Sequence, residues 1–389
     1  MWQSKHWAVL LIISISFISC AGLSNPEVKS TRIGASAPEP TLVGALVPHR
    51  NMIARRATHT ATLLRDGRVL LAGGMENNDL ILSSAELYDP ASLTFTRTGD
   101  MGAARAGHTA TLLPNGRVLL TGGSNTAAWL SSAELYDPET GHFTPIGNMT
   151  AARGGHAAVA LHDGRVLIAG GFDGVRGVSS AELYDPDRDT LTVTGSMSTG
   201  RASLAVTLLA DGTVLVSGGN ANSRDVLASA EIYNSRTGTF SPTGNMSTVR
   251  YKHTSTLLSD GKVLITGGSD QHDGRGRKAS AEIYDPARGA FVATGSMSAP
   301  RYKHTPGALR LQDGRILVAG GSNKVEVYDP RTSSFGEVGN DLGSENLFTT
   351  ATLLPNGKVL IAGGYGPGTR ARGPVATDKT WLYQPQDQN

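Results

Sequence analysis

The chain has a single cysteine, Cys20, in 389 residues. An intramolecular disulfide is therefore impossible, and everything beyond residue 20 is without thiol chemistry. Aromatic residues make up only 6% of the chain, and helix-period patterning is missing after the N-terminus. Neither sign of charge dominates: 35 Lys and Arg stand against 33 Asp and Glu, and without residues 1–19, which hold only Lys5, 34 face 33. That balance offers nothing to a nucleic-acid partner or to an anionic membrane surface. Glycine, by contrast, is abundant at 48 residues. Much glycine with few aromatics and no helical period reads as an all-β chain with many tight turns.

What is present is a repeat. The stretch DGRVLLAGG at residues 66–74 returns as NGRVLLTGG, DGRVLIAGG, DGTVLVSGG, DGKVLITGG, DGRILVAGG and NGKVLIAGG. The first glycine of each closing pair falls at 73, 122, 170, 218, 267, 320 and 363, so the spacings are 49, 48, 48, 49, 53 and 43. Asp-Gly and Asn-Gly predict two-residue type I′ hairpin turns. The β-branched and leucine run after each turn predicts a buried strand. The Gly-Gly pair predicts a bend or a close backbone approach. One such hairpin is marginal alone, but seven at fixed spacing predict an array that folds as one body.

Residues 1–20, MWQSKHWAVLLIISISFISC, have a short basic start and an apolar run over 7–18 that is too short to span a bilayer. They read as a secretory signal. The end, Phe17-Ile18-Ser19-Cys20, resembles a bacterial lipobox, which implies a lipidated Cys20 as the first mature residue. The alternative is an ordinary cleaved signal with an incidental cysteine. Ala21 follows, where an Asp would point to inner-membrane retention, so the expectation is an exported, lipid-anchored protein of the outer membrane or cell surface. Residues 21–40 are polar and Pro/Ser/Gly-bearing and read as a flexible tether. The folded body is expected over 41–389.

Each unit carries four strand signals. In the first unit they are HTATLL (59–64), the RVLLAGG strand, AELYDP (85–90), and a short strand bearing a bulky residue at Phe95. The bulky position recurs at Phe143, Leu191, Phe240, Phe291 and Phe335. Four antiparallel strands in roughly 40–50 residues is the blade of a β-propeller. The Gly pair, the turn before it and the motif Met-x-x-x-Arg-x-x-His resemble the kelch repeat of galactose oxidase and of bacterial kelch proteins. The resemblance covers 41–389 and implies a seven-bladed propeller. The seventh unit ends after its third strand, Trp381-Leu382-Tyr383, while residues 46–52 (LVPHRNM) align with 143–149 (FTPIGNM). The segment 41–48 is therefore predicted to be the outer strand of blade 7, closing the ring.

Six units place an arginine before the innermost strand: Arg56, Arg105, Arg153, Arg201, Arg250 and Arg301, with Glu345 aligned to them in unit seven. The kelch resemblance implies that such arginines look into the channel mouth, as a guanidinium-lined pocket for a carboxylate, a sulfate or a sugar hydroxyl. The competing reading is a structural pair, because each third strand supplies a glutamate: Glu86, Glu134, Glu182, Glu231, Glu282 and Glu326. Unit seven lacks both partners, as same-blade pairing requires. His59, His108, His156, His253 and His304 follow three residues after the arginines, with Leu204 and Phe348 aligned in the other units. A metal would need several to converge within ~2.1 Å of one ion, whereas the repeat spreads them around a ring. They read as core histidines, and no metal or cofactor is expected.

Galactose-oxidase chemistry uses copper and a Tyr–Cys crosslink, and the only thiol lies outside the propeller. Departures from the repeat point elsewhere, because function on repeat scaffolds sits in variable loops. The loop 269–278 holds Arg275, Arg277 and Lys278, and 365–373 holds Arg370 and Arg372. Trp129, Phe172 and Arg176 vary in blades 2 and 3, and blade 6 has almost no loop at 322–324. A basic rim with a few aromatics predicts a non-catalytic binding module for a protein or glycan ligand with acidic character. The alternative function is an enzyme resembling the kelch sugar mutarotases, with Glu345 among arginines moving a proton.

Overall fold

The structure is a computed structural model that describes residues 42–366 and 373–386. Seven four-stranded antiparallel sheets are arranged as blades around a channel. Blade 1 consists of Thr60–Leu63, Val69–Ala72, Ala85–Asp89 and Thr94–Arg97, from the channel outwards. Each innermost strand neighbours those of the blades before and after it, and that of blade 7 neighbours that of blade 1.

The apolar run of each second strand is explained by this stacking. Val69–Ala72 is buried along its whole length because both faces of the blade are covered. Leu70 and Ala72 pack on Val118, Leu120 and Tyr136 of blade 2. Val69, Leu71 and Tyr88 pack on Leu354, Leu360 and Leu382 of blade 7. On the outer strand, Phe95 lies opposite Tyr88 with ring centroids 4.9 Å apart, and the pair recurs in four other blades.

The hairpin turns differ from the two-residue type I′ expectation. Only the glycine is left-handed, with φ of +88° at Gly67 and between +79° and +87° in the other six; the Asp or Asn before it is not. The Gly67 amide donates to the Leu64 carbonyl and the Leu64 amide to the Arg68 carbonyl, so three residues form the loop. The Asp66 carboxylate accepts the Arg68 amide at 3.0 Å, and Asn115 and Asp163 repeat this contact. The Asp or Asn is thus selected for its side-chain acceptor, with glycine closing a type I turn as a bulge.

The Gly-Gly pairs are where one blade touches the next. Both glycines have positive φ in every blade. A Cβ on Gly73 would lie 2.5 Å from the carbonyl oxygen of Arg105 in blade 2, and the Gly74 amide donates to that oxygen at 2.9 Å.

The ring closes as the N-terminal segment predicts. Gly44–His49 pairs antiparallel with Thr380–Pro385, the third strand of blade 7, and is its outermost strand. Leu46 faces Tyr383 in the register in which Phe143 faces Tyr136.

Candidate binding site at the channel mouth

The six arginines do not line a pocket. Each is at most 1% exposed and is bound to the glutamate of its own blade, as Arg153 is to Glu182 at 3.1 Å and Arg105 to Glu134 at 2.6 Å. The Arg153 guanidinium also donates to the Gly170 and Ser180 carbonyls and to the Ser180 hydroxyl. Glu182 in turn accepts the backbone amide of Thr150, in the connection that leads to Arg153. Each pair therefore ties the incoming connection to the blade's second and third strands. The ligand-facing reading of Arg56, Arg105, Arg153, Arg201, Arg250 and Arg301 gives way to the pairing one, because in each of them both terminal guanidinium nitrogens are bonded within the blade. Arg153→Ala is expected to lower unfolding free energy by about 3–5 kcal/mol, the cost of stranding one buried partner. Glu182→Ala should cost a similar amount and the double variant less than the sum. Additive losses in denaturant titrations would rule out the pair.

In blade 7 the register is one residue from the expected alignment. The Asn346 carbonyl accepts the Gly321 amide, the role that the Arg105 carbonyl plays for Gly74. Asn346 therefore replaces the arginine, Thr349 replaces the histidine, and Leu342 stands four before Asn346 as Met101 does before Arg105. Glu345 lies one residue outside this frame. It is bound to Arg277 at 2.8 Å rather than set among the ring arginines, which removes the arrangement on which Glu345 proton transfer rested.

The five histidines are buried, and each joins two blades. His108 Nε2 meets the Thr60 hydroxyl of blade 1 at 3.0 Å, and His59 meets Thr350 of blade 7 at 3.2 Å. Burial, followed by the nearby arginine charge, pushes His59, His156 and His253 down to about 3. They are neutral interblade linkers.

Two residues after each arginine, and after Asn346 in blade 7, the chain comes to the channel cavity, which six of these seven positions line. These throat positions are Thr58, Gly107, Gly155, Ser203, Lys252, Lys303 and Phe348, all left-handed with φ between +50° and +63°. The amide of each from Gly107 to Phe348 donates to the carbonyl of the one before it. A fixed backbone hoop thus presents seven side chains, and only in blades 5 to 7 are they large.

There the sequence reads Arg-Tyr-Lys-His twice, at 250–253 and 301–304. Lys252 and Lys303 are 4% and 1% exposed. Both approach one carboxylate, Asp273, at 3.0 and 3.6 Å. Asp273 sits in the short 3₁₀ turn Asp273–Arg275 of the long blade 5 loop, which folds inward over the mouth, and it also accepts the Tyr251 hydroxyl. Lys252 Nζ lies 4.5 Å from the Tyr251 ring centre. Lys303 Nζ lies 4.9 Å from that of Tyr302 and bonds the Tyr365 hydroxyl at 3.2 Å. Burial, then the charge of Lys303, brings the Lys252 ammonium down to about 7, with Asp273 opposing. Burial likewise lowers Lys303. Burial pushes the Asp273 carboxyl up, but the two ammonium groups and Tyr251 outweigh it and hold it below the usual range. Burial raises the Tyr251, Tyr302 and Tyr365 hydroxyls.

The channel beneath has a volume of about 420 Å³, lined largely by Ala, Thr, Gly and Ser of the innermost strands. The Kelch motif matches residues 104–150 and 153–198, which are consecutive blades of this ring. The chain is a seven-bladed β-propeller with kelch repeats. No curated protein matches the propeller significantly. Among solved structures, a fungal alcohol oxidase of the AA5 family, in complex with copper, is similar over 88% of this chain and 76% of its own. The TM-score is 0.69 and the identity 19%, a likeness of fold. In all, 1160 chains of solved structures match. Among the described residues of the propeller, no group of three or more His, Cys, Asp or Glu is placed to hold a metal.

The rim residues fare unequally. Arg275 is exposed. Arg277 lies across the Tyr302 ring at 5.2 Å and holds Glu345, and Lys278 reaches Asp270 at 3.6 Å, so neither is a bare loop charge. Trp129 is half-buried edge-on against Phe172, centroids 5.3 Å apart, and reaches the channel. Cys20, Arg370 and Arg372 lie outside the described residues. The Tyr-Lys pairs are the site residues that sequence reasoning missed.

Proposed function

We propose that this propeller is a binding module whose working face is the loop face over blades 5 to 7, taking a protein or glycan ligand with acidic groups. Kelch propellers are in general protein-interaction modules. The observation that carries the reading is the one-sided collection of Lys252, Lys303, Tyr251, Tyr302 and Tyr365 at the mouth of an otherwise repetitive ring. Cations on aromatic faces beside a channel suit sugar rings and carboxylates alike. Glycan and peptide arrays probed with the protein without residues 1–20 should retain acidic members. Replacing Arg275, Arg370 and Arg372 by Gln together should leave the melting temperature nearly unchanged. It should slow association and shrink its salt dependence. An array ligand bound equally well at all salt concentrations by both proteins would overturn the acidic-ligand reading.

Export and anchoring belong to the same proposal. Cys20→Ser should move the protein to the soluble fraction and abolish fatty-acid labelling. Unaltered membrane fractionation of that variant would remove the anchor.

A further inference from the structure

Lys252 is the sole amine-bearing side chain among the described residues that line the channel cavity; the rest of the lining is histidines, small residues and a few apolar side chains. It is held in place by Asp273 and by the face of Tyr251, with the second ammonium of Lys303 on the same carboxylate. We propose that Lys252 is a carbonyl-capturing amine, whose Nζ forms a reversible imine with an aldehyde or ketone entering the channel, such as the open-chain reducing end of a sugar.

A lysine becomes a nucleophile at neutral pH when it is desolvated or set beside another cation, and Lys252 meets both conditions. Its ammonium, brought to about 7, is about half neutral at pH 7. Among the groups that face it are Asp273 and Tyr251 of its own blade and, from blade 6, Lys303 and the Tyr302 ring at 6.0 Å. Behind Tyr302 stand Arg277 and its partner Glu345, a neutral pair.

The chemistry balances without a further reagent. Asp273, 3.0 Å from Nζ, accepts the ammonium proton. The amine lone pair forms the C–N bond while the carbonyl π pair moves to oxygen, which takes up the proton that the newly bonded nitrogen sheds. The carbinolamine then loses its hydroxyl as water, with a proton returned through Asp273, and leaves the imine. Hydrolysis reverses each step. A cavity of about 420 Å³ lies within the ordinary range for small-molecule sites. Lys303 is differently disposed: it does not line the cavity, and the rings of Tyr302, Phe348 and Tyr365, with the Tyr365 hydroxyl, surround its Nζ.

The test treats the whole protein with limiting glyceraldehyde and cyanoborohydride, which fixes imines as stable secondary amines, and maps the products by peptide mass spectrometry. The exposed Lys379, and Lys262, half-buried and paired with Asp260, serve as references within the same molecule. At pH 7, Lys252 should be labelled at least tenfold faster than either. Its rate should reach half-maximum near pH 7, while that of Lys262, whose ammonium Asp260 holds above the usual lysine value, keeps rising beyond pH 9. Lys303→Gln, which removes the neighbouring charge, should move that midpoint upward and slow labelling at pH 7 several-fold. Labelling of Lys252 no faster than Lys262, or with the same pH dependence, would overturn the proposal in the unmodified protein alone. The outcome is independent of the arrays: a retained acidic ligand with an inert Lys252 leaves the binding module and removes the carbonyl chemistry.

Discussion

A chain that begins at Asn51 is expected to lose about 5 kcal/mol or more of stability, or to fail to fold cooperatively. It lacks Gly44–His49, and with it a six-residue ladder against Thr380–Pro385. Leu46, fully buried among Leu317, Val325, Trp381 and Tyr383, goes too. Loss of a single buried leucine side chain costs about 2–5 kcal/mol, and Trp381 and Tyr383 would face water as well. Against a total stability of about 5–15 kcal/mol, little margin is left. A synthetic peptide of residues 42–52 should restore the melting temperature when added in excess, because its strand has a preformed edge to join. A shortened chain that melts with the intact one would refute the closure.

Acid should unfold the protein through its histidines, with a comparably large effect. His59, His108, His156, His253 and His304 are all lowered by burial, while an unfolded histidine titrates near 6.5. Between the two values the unfolded chain binds protons that the folded chain refuses. The contribution is therefore intact above pH 6.5 and is lost as pH falls towards the folded values. By pH 5 each of His59, His156 and His253 forfeits about 2 kcal/mol and the three together about 6, a large part of the whole stability, with His108 and His304 acting in the same direction. Unfolding free energies measured from pH 8 to pH 5 should fall steeply, and a flat profile would show that these rings are protonated in the fold. His253→Leu should reduce the slope by one proton, and blade 4 already carries Leu204 at the equivalent position.

Blade number, strand order and closure were legible because each rests on a local signal repeated seven times: a turn acceptor, an apolar run, a glycine pair. The arginine–glutamate alternatives were legible too, since both residues recur in step and vanish together. The blade 7 register was not. That unit has no Met, Arg or His to anchor it, and only Leu342 in the methionine position marks the true frame, placing Asn346 rather than Glu345 at the arginine site. The hairpin type was misread because Asp-Gly fits both a type I′ turn and an Asx-stabilised type I turn with a bulge, and the dipeptide alone does not separate them. The mouth cluster was hidden for another reason. Its members come from three blades, with Asp273 in a loop and Tyr365 more than a hundred residues from Lys252. The signal that was available is Tyr-Lys between arginine and histidine, found in blades 5 and 6 alone.

The backbone hoop at the throat has a consequence for how such a propeller acquires selectivity. Its seven left-handed positions are set by main-chain bonds that take no account of the side chain, so the hoop works as an iris with seven independently exchangeable leaves. In blades 2 and 3 the leaves are absent: a Cβ on Gly107 would come no closer than 3.9 Å to its surroundings, and one on Gly155 no closer than 3.5 Å. Thr58, Ser203 and Lys252 already tolerate the same backbone angles. The bore can therefore be narrowed from the open side, one residue at a time, while the charged side stays as it is.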